Sequence, residues 1–231
     1  MCEPVFMAAG SEDVPFLEKI SAENPKLTEL YTSLKILSPM PYIGSIWCGK
    51  VNGEIKEVIY ENGCYTMLYN ENGTYIYRDD GDVFNTDISL KHRLCFMEYK
   101  GKSPTEMTDV TKLDNRGFRE IYKLARGVQV LPETTEKRCL YSMLCFNKGL
   151  SRGFALLDGE NMLSTASVVS VNEKYALIGN VFTKQEQRGR GLATKAVLSA
   201  VKYITDRNLI PVLICEKELK EFYEKIGFSE E

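Results

Sequence analysis

The chain has 231 residues, of which 44% are hydrophobic and 26% charged, and its formal net charge is −3. These values are typical of a globular protein with one large or two modest domains. A slightly acidic chain has no overall positive field to attract nucleic acid, and no apolar run reaches the length of a membrane span. The N-terminus lacks the basic residues and apolar core of a signal peptide, so we expect a cytoplasmic protein.

The seven cysteines are scattered, their number is odd, and they form no Cys-x-x-Cys pair. His92 is the single histidine. A zinc site needs a cluster of such ligands, so no metal is expected. The cysteines are predicted to be free thiols in a reducing compartment.

The first hundred residues predict helices followed by a meander. Apolar residues recur at helical spacing over 11–37, which predicts two helices. Turn dipeptides then divide residues 42–99 into β-branched and aromatic segments: Asn52-Gly53, Asn62-Gly63, Asn72-Gly73 and Asp80-Gly81. These dipeptides favour hairpin turns, so the segments are predicted to form an antiparallel sheet. Its tyrosines would suit base stacking, but the acidic balance argues against a nucleic-acid partner.

After a predicted linker at 101–104, the pattern changes to alternating helices and strands. Helices are predicted at 114–125 and 133–146, and antiparallel strands at 152–157, 162–171 and 174–183. A helix over 192–207, a short strand over 209–215 and a helix over 217–226 complete the order. The sequence therefore predicts an N-terminal α+β domain over 1–103 and a second domain over 104–231.

The loop Gln187-Arg188-Gly189-Arg190-Gly191-Leu192-Ala193 lies between a predicted strand and a predicted helix. The first turn of a helix carries unpaired N–H groups and a partial positive charge, which together favour an anion. Glycines let the backbone approach a ligand, and arginines supply forked donors to phosphate. The loop therefore suits a pyrophosphate, although it matches neither G-x-G-x-x-G nor the Walker pattern.

Two motifs together resemble the GCN5-related N-acetyltransferase (GNAT) superfamily. Arg188-x-x-Gly191-x-Ala193 is similar to the superfamily's coenzyme A signature. The end of the superfamily's last helix is resembled by Phe222-Tyr223-Glu224-Lys225-Ile226-Gly227-Phe228. The two motifs lie at the expected distance from each other along the sequence, with a predicted strand between them. The resemblance covers residues 105–228 and implies an α+β fold with three layers, in which helices flank a mostly antiparallel twisted sheet. The helices and meander of the first half could be a degenerate tandem copy, as in glycine N-acyltransferase-like members.

One departure concerns the edge of the sheet. The superfamily usually adds two strands after Gly-Phe, whereas this sequence ends at Glu231. The edge beyond strand 209–215 is therefore expected to need cover. The N-terminal half or a second copy of the chain, in a homodimer, could provide it.

The resemblance implies that the chain is an acyltransferase using acetyl-coenzyme A, without a metal, to acetylate an unidentified amine by direct attack. It assigns the coenzyme to main-chain groups of the strand end and the glycine loop: Val181, Phe182, Thr183, Arg188, Gly189, Arg190, Gly191, Leu192, Ala193 and Thr194. It assigns Tyr223 to the departing thiolate as a proton or hydrogen-bond donor.

The sequence does not identify the general base that would deprotonate the amine. The strand before the loop has no carboxylate; Asn180 could position a water, Glu186 could act from the loop, and a base from the N-terminal half or water alone is equally compatible. Because that carboxylate is missing, the alternative function is a non-catalytic acyl-coenzyme A sensor or regulatory module.

Overall fold

The computed structural model describes residues 4–37, 45–61, 65–78, 94–126 and 133–231. The predicted turns at Asn62-Gly63 and Asp80-Gly81, and His92, lie outside the described residues. Both predicted N-terminal helices are present, as α1 (Val14–Ser21) and α2 (Thr28–Leu37). Leu27, which ends the 3₁₀ turn before α2, and Leu30 and Leu34 within α2 recur at helical spacing and are fully buried.

Four segments of the predicted meander form a five-stranded antiparallel sheet with one further strand, in the order β1-β2-β3-β4-β5. The last segment of the predicted meander, residues 95–99, instead pairs in the other sheet. The strands of the five-stranded sheet are β1 (Val5–Ala8), β2 (Ser45–Val51), β3 (Glu54–Glu61), β4 (Tyr65–Asn70) and β5 (Gly73–Arg78). Asn52 and Gly53 both have positive φ, 51° and 81°, as their hairpin turn requires. The edge strand β1 was not predicted, because four residues give too short a pattern.

The second half builds a seven-stranded sheet in the order β12-β6-β11-β10-β9-β8-β7. Its strands are β6 (Cys95–Tyr99), β7 (Thr111–Lys112), β8 (Arg152–Asp158), β9 (Asn161–Val171), β10 (Tyr175–Thr183), β11 (Ile210–Cys215) and β12 (Phe228–Glu230). Its helices are α3 (Gly117–Arg126), α4 (Glu133–Asn147), α5 (Leu192–Thr205) and α6 (Lys220–Lys225). The predicted α+β class, with mostly antiparallel strands flanked by helices, is confirmed.

Side chains alternate between the two faces of the central strands and so contribute to two separate hydrophobic clusters. Ala176 and Ile178 of β10 face the cluster that contains the buried side of α5, whereas Tyr175 and Leu177 face the cluster that contains α1 and α2. Successive side chains of a strand point to opposite faces, so each face of the sheet is covered by helices. The second cluster also contains buried residues of the five-stranded sheet, which joins the two halves of the chain through one core.

The edge of β11 is covered from within the chain. β6 pairs antiparallel with β11 on one side, with Leu213 opposite Met97, and with β12 on the other, with Phe228 opposite Tyr99. The expectation that the N-terminal half could supply this cover is met by residues 95–99. This strand lies on the N-terminal side of the predicted boundary at 103/104, yet it is an inner strand of the C-terminal sheet.

Candidate active site

The centre of the seven-stranded sheet opens where two parallel strands part. β10 and β11 are paired from Tyr175 and Ile210 to Ile178 and Leu213, and their pairing ends there. In the next residues β10 carries a bulge against β9, between Gly179 and Phe182. A bulge bends its strand, so β10 turns away from β11 and leaves space between them.

Asn180 forms the bulge. Its φ is 50°, in the left-handed region that asparagine tolerates better than most residues. The Thr165 hydroxyl on β9 donates a hydrogen bond of 2.8 Å to the Asn180 carbonyl. The bulge is therefore held by a side chain of the neighbouring strand in place of a regular ladder hydrogen bond.

The predicted anion loop follows β10 directly and ends at the N-terminus of α5. Gly189 and Gly191 have φ of 75° and 74°, and no atom lies within 4 Å of where a Cβ would stand on either. Gly191 is the N-cap residue and no side chain caps the helix. The N–H groups of the first turn of this 14-residue helix therefore have no side-chain acceptor at the N-cap.

A cavity of about 490 Å³, here called the donor cavity, lies between the loop, the end of β10 and α6. Nine of the ten residues predicted to bind the coenzyme line it, together with Tyr223: Val181, Phe182, Thr183, Arg188, Gly189, Gly191, Leu192, Ala193 and Thr194. Gln187, Leu219 and Phe222 also line it and were not predicted. Phe222 is the first residue of the second motif, so that motif could have indicated it, whereas Leu219 lies three residues before the motif.

Arg190 is the predicted residue that does not line the donor cavity. Its guanidinium donates to the side-chain oxygen of Gln187 and lies on the exposed side of the loop. Arg188 does line the cavity, and its Nε donates to the carbonyl of Thr183 at 3.4 Å. The two arginines thus differ in position: Arg188 lines the donor cavity and Arg190 does not.

A second cavity of about 330 Å³, here called the junction cavity, adjoins the donor cavity. The two cavities share three lining residues, Val181, Leu219 and Tyr223. The polar and charged side chains of the junction cavity come from α2, α3, α4, β10 and the segment after β11: Glu29, Tyr122, Arg138, Tyr141, Ser142, Asn180 and Glu216. Both halves of the chain contribute to its wall, since Glu29 and Leu94 lie before residue 104.

Tyr223 lies at the meeting point of the two cavities and is 5% exposed. Its ring packs edge-on against Phe222 and Phe228, with ring centroids 4.9 Å and 5.9 Å away. Burial, with a smaller contribution from Cys215, raises the pKa of the Tyr223 phenol well above its ordinary value. Its hydroxyl therefore holds its proton firmly and can act as a hydrogen-bond donor at any ordinary pH.

One wall of the junction cavity is a polar network. The buried carboxylate of Glu29 lies 4.0 Å from the guanidinium of Arg138. The hydroxyls of Tyr122 and Ser142 share a hydrogen bond of 3.0 Å, and burial raises the pKa of Tyr122. No motif marks this wall in the sequence, because its residues come from elements far apart along the chain.

Glu186, a candidate base from the sequence, is exposed and lines neither cavity. Among the described residues no group of three or more His, Cys, Asp or Glu side chains is placed to hold a metal ion. None of the helices in the described ranges has the length and apolar character needed to cross a membrane.

Solved structures share the fold along the whole chain. An acetyltransferase of the GNAT family from Colwellia psychrerythraea superposes with a TM-score of 0.62 at 12% identity, covering 98% of this chain and 96% of that one. A Drosophila protein superposes with a TM-score of 0.56 at 11% identity, covering 99% and 96%. At these identities the likeness shows the fold alone.

A GNAT-family protein from Novosphingobium aromaticivorans has 18% identity and a TM-score of 0.48, and the match covers 60% of this chain and only 59% of that one. None of the curated proteins compared with the sequence matches it. The family model of the GNAT acetyltransferases matches residues 138–231, the stretch from α4 to β12 that contains the glycine loop and Tyr223. Residues 138–231, less than half of the chain, are therefore similar to the GNAT acetyltransferases.

Proposed function

We propose that this protein is an N-acetyltransferase that transfers the acetyl group of acetyl-coenzyme A to a primary amine by direct attack. The observation that carries the proposal is the meeting of two cavities at Tyr223 and Val181. One cavity has the features of an anion and pantetheine site. The other has charged and polar walls suited to a small acceptor, and both open at the same gap in the sheet.

The donor cavity suits the coenzyme in two parts. The pyrophosphate would lie on the N–H groups between Arg188 and Thr194, where Gly189 and Gly191 leave the backbone uncovered. The pantetheine arm would lie along Val181 to Thr183, at the gap between β10 and β11. Its thioester would then reach the boundary between the cavities, next to the phenol of Tyr223.

In the proposed reaction the nitrogen lone pair of a neutral amine attacks the thioester carbonyl carbon. The new C–N bond forms, the C–S bond breaks, and the electron pair leaves on sulfur. Tyr223 stabilises that thiolate from its buried position. Because burial raises the pKa of the phenol further above that of a thiol, hydrogen-bond donation to the thiolate is favoured over complete proton transfer.

The proton released by the amine needs an acceptor. Glu29 and Glu216 are the carboxylates that line the junction cavity, so a base from either half of the chain fits the geometry. Each is testable by replacement with glutamine. If one of these glutamines lowers turnover, and turnover recovers as the pH approaches the pKa of the amine, the replaced carboxylate is the base. The reason is that a deprotonated amine no longer needs a base.

A second function is a non-catalytic acyl-coenzyme A sensor, and the absence of a carboxylate along β10 favours it. Isothermal titration with acetyl-coenzyme A, followed by an assay of thiol release with a panel of small amines, separates the two. Binding with amine-dependent thiol release supports the transferase. Binding without acetylation of any amine supports the sensor, and absence of binding contradicts both.

A further inference from the structure

A further cavity lies between α5 and the outer strands of the seven-stranded sheet. Its volume is about 460 Å³, and none of its lining residues lines the donor cavity or the junction cavity. Four basic and two acidic side chains line it: Lys112, Arg152, Lys202, Arg207, Glu106 and Asp206. A chain with a formal net charge of −3 therefore contains a cavity with an excess of positive charge, here called the basic cavity.

Strand register and a tethered segment build the walls of the basic cavity. Lys112 of β7 pairs with Phe154 of β8, and residues two apart on a strand share a face, so Arg152 lies on the same face of the sheet. Phe154 packs in the cluster that contains the buried side of α5, which shows that this face is the one that carries α5. The segment between β6 and β7 closes the cavity, because a 2.8 Å hydrogen bond between the hydroxyls of Ser103 and Thr205 ties it to the end of α5.

The ion pairs around the basic cavity do not include its two arginines. Both acidic residues pair with lysines, Glu106 with Lys112 at 3.4 Å and Asp206 with Lys202 at 2.5 Å. In the part of the chain that the structure describes, neither Arg152 nor Arg207 has a carboxylate within ion-pair distance. The Nε of Arg152 is buried and has no hydrogen-bond partner. A buried charged donor without an acceptor is unfavourable, so an anion beside this guanidinium would be stabilising.

Both arginines are held against the ring of Tyr203. The Cζ atom of Arg207 lies 3.4 Å from the ring centroid and that of Arg152 lies 5.8 Å from it. Arg152 also lies over the ring of Phe146, at 4.7 Å, and Arg207 donates a 2.9 Å hydrogen bond to the carbonyl of Tyr203. Aromatic contacts orient a guanidinium without neutralising its charge. The cavity therefore has two oriented forks of donors beside one ring.

We propose that the basic cavity binds a phosphate group, either as inorganic phosphate or as the ester of a small molecule, through Arg152 and Arg207. A phosphate monoester carries a charge of about −1.5 to −2 at pH 7 and offers three acceptor oxygens. It can therefore neutralise both arginines and accept from both forks, whereas one carboxylate brings two oxygens and a single charge. This inference does not depend on the proposed function, because the basic cavity shares no lining residue with the other two cavities.

The cavity also has room for the organic part of an ester. Met107, Val110 and Phe154 add apolar surface to its wall, and its volume is in the range of small-molecule sites. Glycerol 3-phosphate is therefore a suitable probe for an ester. Inorganic phosphate is the probe for the free anion, and succinate is a dianion without a phosphate group.

The glycine loop before α5 also offers donors to phosphate, so the test has to report where each probe binds. Leu192 and Tyr203 lie about 16 Å apart along α5, which separates the loop from the basic cavity. The experiment is NMR mapping of backbone amide chemical shifts in the full-length protein, titrated with each probe at a constant ionic strength set with sodium chloride. Amides of residues 152–154 and 199–207 report on the basic cavity, and those of 188–194 on the loop.

We expect glycerol 3-phosphate to shift the amides of 152–154 and 199–207 saturably. Arg152→Gln should raise the Kd read from these shifts by about tenfold or more, the scale of a lost hydrogen bond to a charged group. Arg152→Lys keeps the charge and loses the fork, so it should raise the Kd by less. Arg207→Gln should also weaken binding, and Arg207 is exposed, so its replacement does not disturb the core. Arg116→Gln is the matched control, because Arg116 is exposed and lines none of the three cavities.

The probes and the control decide between the outcomes. Tighter binding of glycerol 3-phosphate than of inorganic phosphate supports an ester as the ligand, and equal binding supports the free anion. Succinate that binds as tightly as either would overturn the assignment to phosphate. Shifts confined to residues 188–194 would overturn the site itself. Equal losses in Arg152→Gln and Arg116→Gln would do the same, because only the overall charge of the protein would then matter.

Discussion

The Thr165 hydroxyl donates a 2.8 Å hydrogen bond to the Asn180 carbonyl, and this contact holds β10 away from β11 where the two cavities meet. Thr165→Val keeps the side-chain shape and removes the donor. We expect a loss of about 1–3 kcal/mol in the free energy of unfolding, together with lower turnover, because Val181 follows the bulge directly. Urea unfolding and steady-state kinetics measure the two effects. Full activity in this variant would show that the bulge does not depend on Thr165.

Gly191 offers a test of the anion loop. Gly191→Glu places a carboxylate where the pyrophosphate is proposed to lie, so acetyl-coenzyme A should no longer bind in isothermal titration. Gly149→Glu is the matched control, since Gly149 has a φ of 75°, open space around its Cβ position and no part in either cavity. Both variants carry a strain of about 1 kcal/mol from positive φ. Equal binding by the two variants would place the coenzyme elsewhere.

Tyr223→Phe removes the phenol hydroxyl and keeps the ring packing against Phe222 and Phe228. We expect turnover to fall by about a hundredfold, the lower end of the range for general acid–base groups, because Tyr223 is proposed to donate a hydrogen bond to the thiolate rather than a proton; the Kd for acetyl-coenzyme A should be nearly unchanged. Tyr203→Phe, in α5 and outside the donor and junction cavities, should leave both values as they are. Wild-type turnover in the Tyr223 variant would remove this residue from the mechanism.

The position of β6 predicts how the two halves of the chain depend on each other. A fragment of residues 104–231 lacks β6, so β11 and β12 lose their shared partner and expose backbone donors and acceptors. We expect this fragment to aggregate alone and to copurify in soluble form when coexpressed with residues 1–103. Coexpression with residues 1–93, which end before β6, should not rescue it. Cooperative unfolding of 104–231 alone would support the predicted division at 103/104 as two independent domains.

The buried thiols predict a loss of stability at alkaline pH. Burial raises the pKa of Cys48 and Cys139 to about 11, and that of Cys145 and Cys215 to about 12, from an ordinary value of 9.0. Between these values the folded state binds more protons than the unfolded state, so the free energy of unfolding falls as pH rises.

The contribution of the thiols is fully present below pH 9 and is lost as the pH passes through 11 to 12. Urea unfolding at pH 8, 9, 10 and 11 under reducing conditions should show a steepening decline. Cys145→Ala should reduce the slope, because it removes one of the titrating groups. Equal stability at pH 8 and 11 would contradict the prediction.

Local patterns were enough to predict the helices and most strands, since hydrophobic periodicity and turn residues act over a few positions. The first turn of α3 shows the scale of the error: a start at Asp114 was predicted, and Asp114 instead accepts a hydrogen bond of 3.0 Å from Gly117, where the helix begins. The two-residue β7 and three-residue β12 were missed, because so few residues carry no period.

Most of the donor cavity could be expected from the two motifs and the resemblance that they support, because its residues fall in two short stretches, 181–194 and 219–223. Gln187, Leu219 and Phe222 in these stretches were not predicted. The junction cavity could not be expected in this way. Glu29, Arg138, Asn180 and Glu216 meet only after α2 and α4 pack on the sheet and β10 leaves β11. The cover of β11 by β6 likewise joins residues more than a hundred positions apart. Such contacts depend on which helix faces and sheet edges are still uncovered when the chain folds. A local sequence pattern does not contain this information.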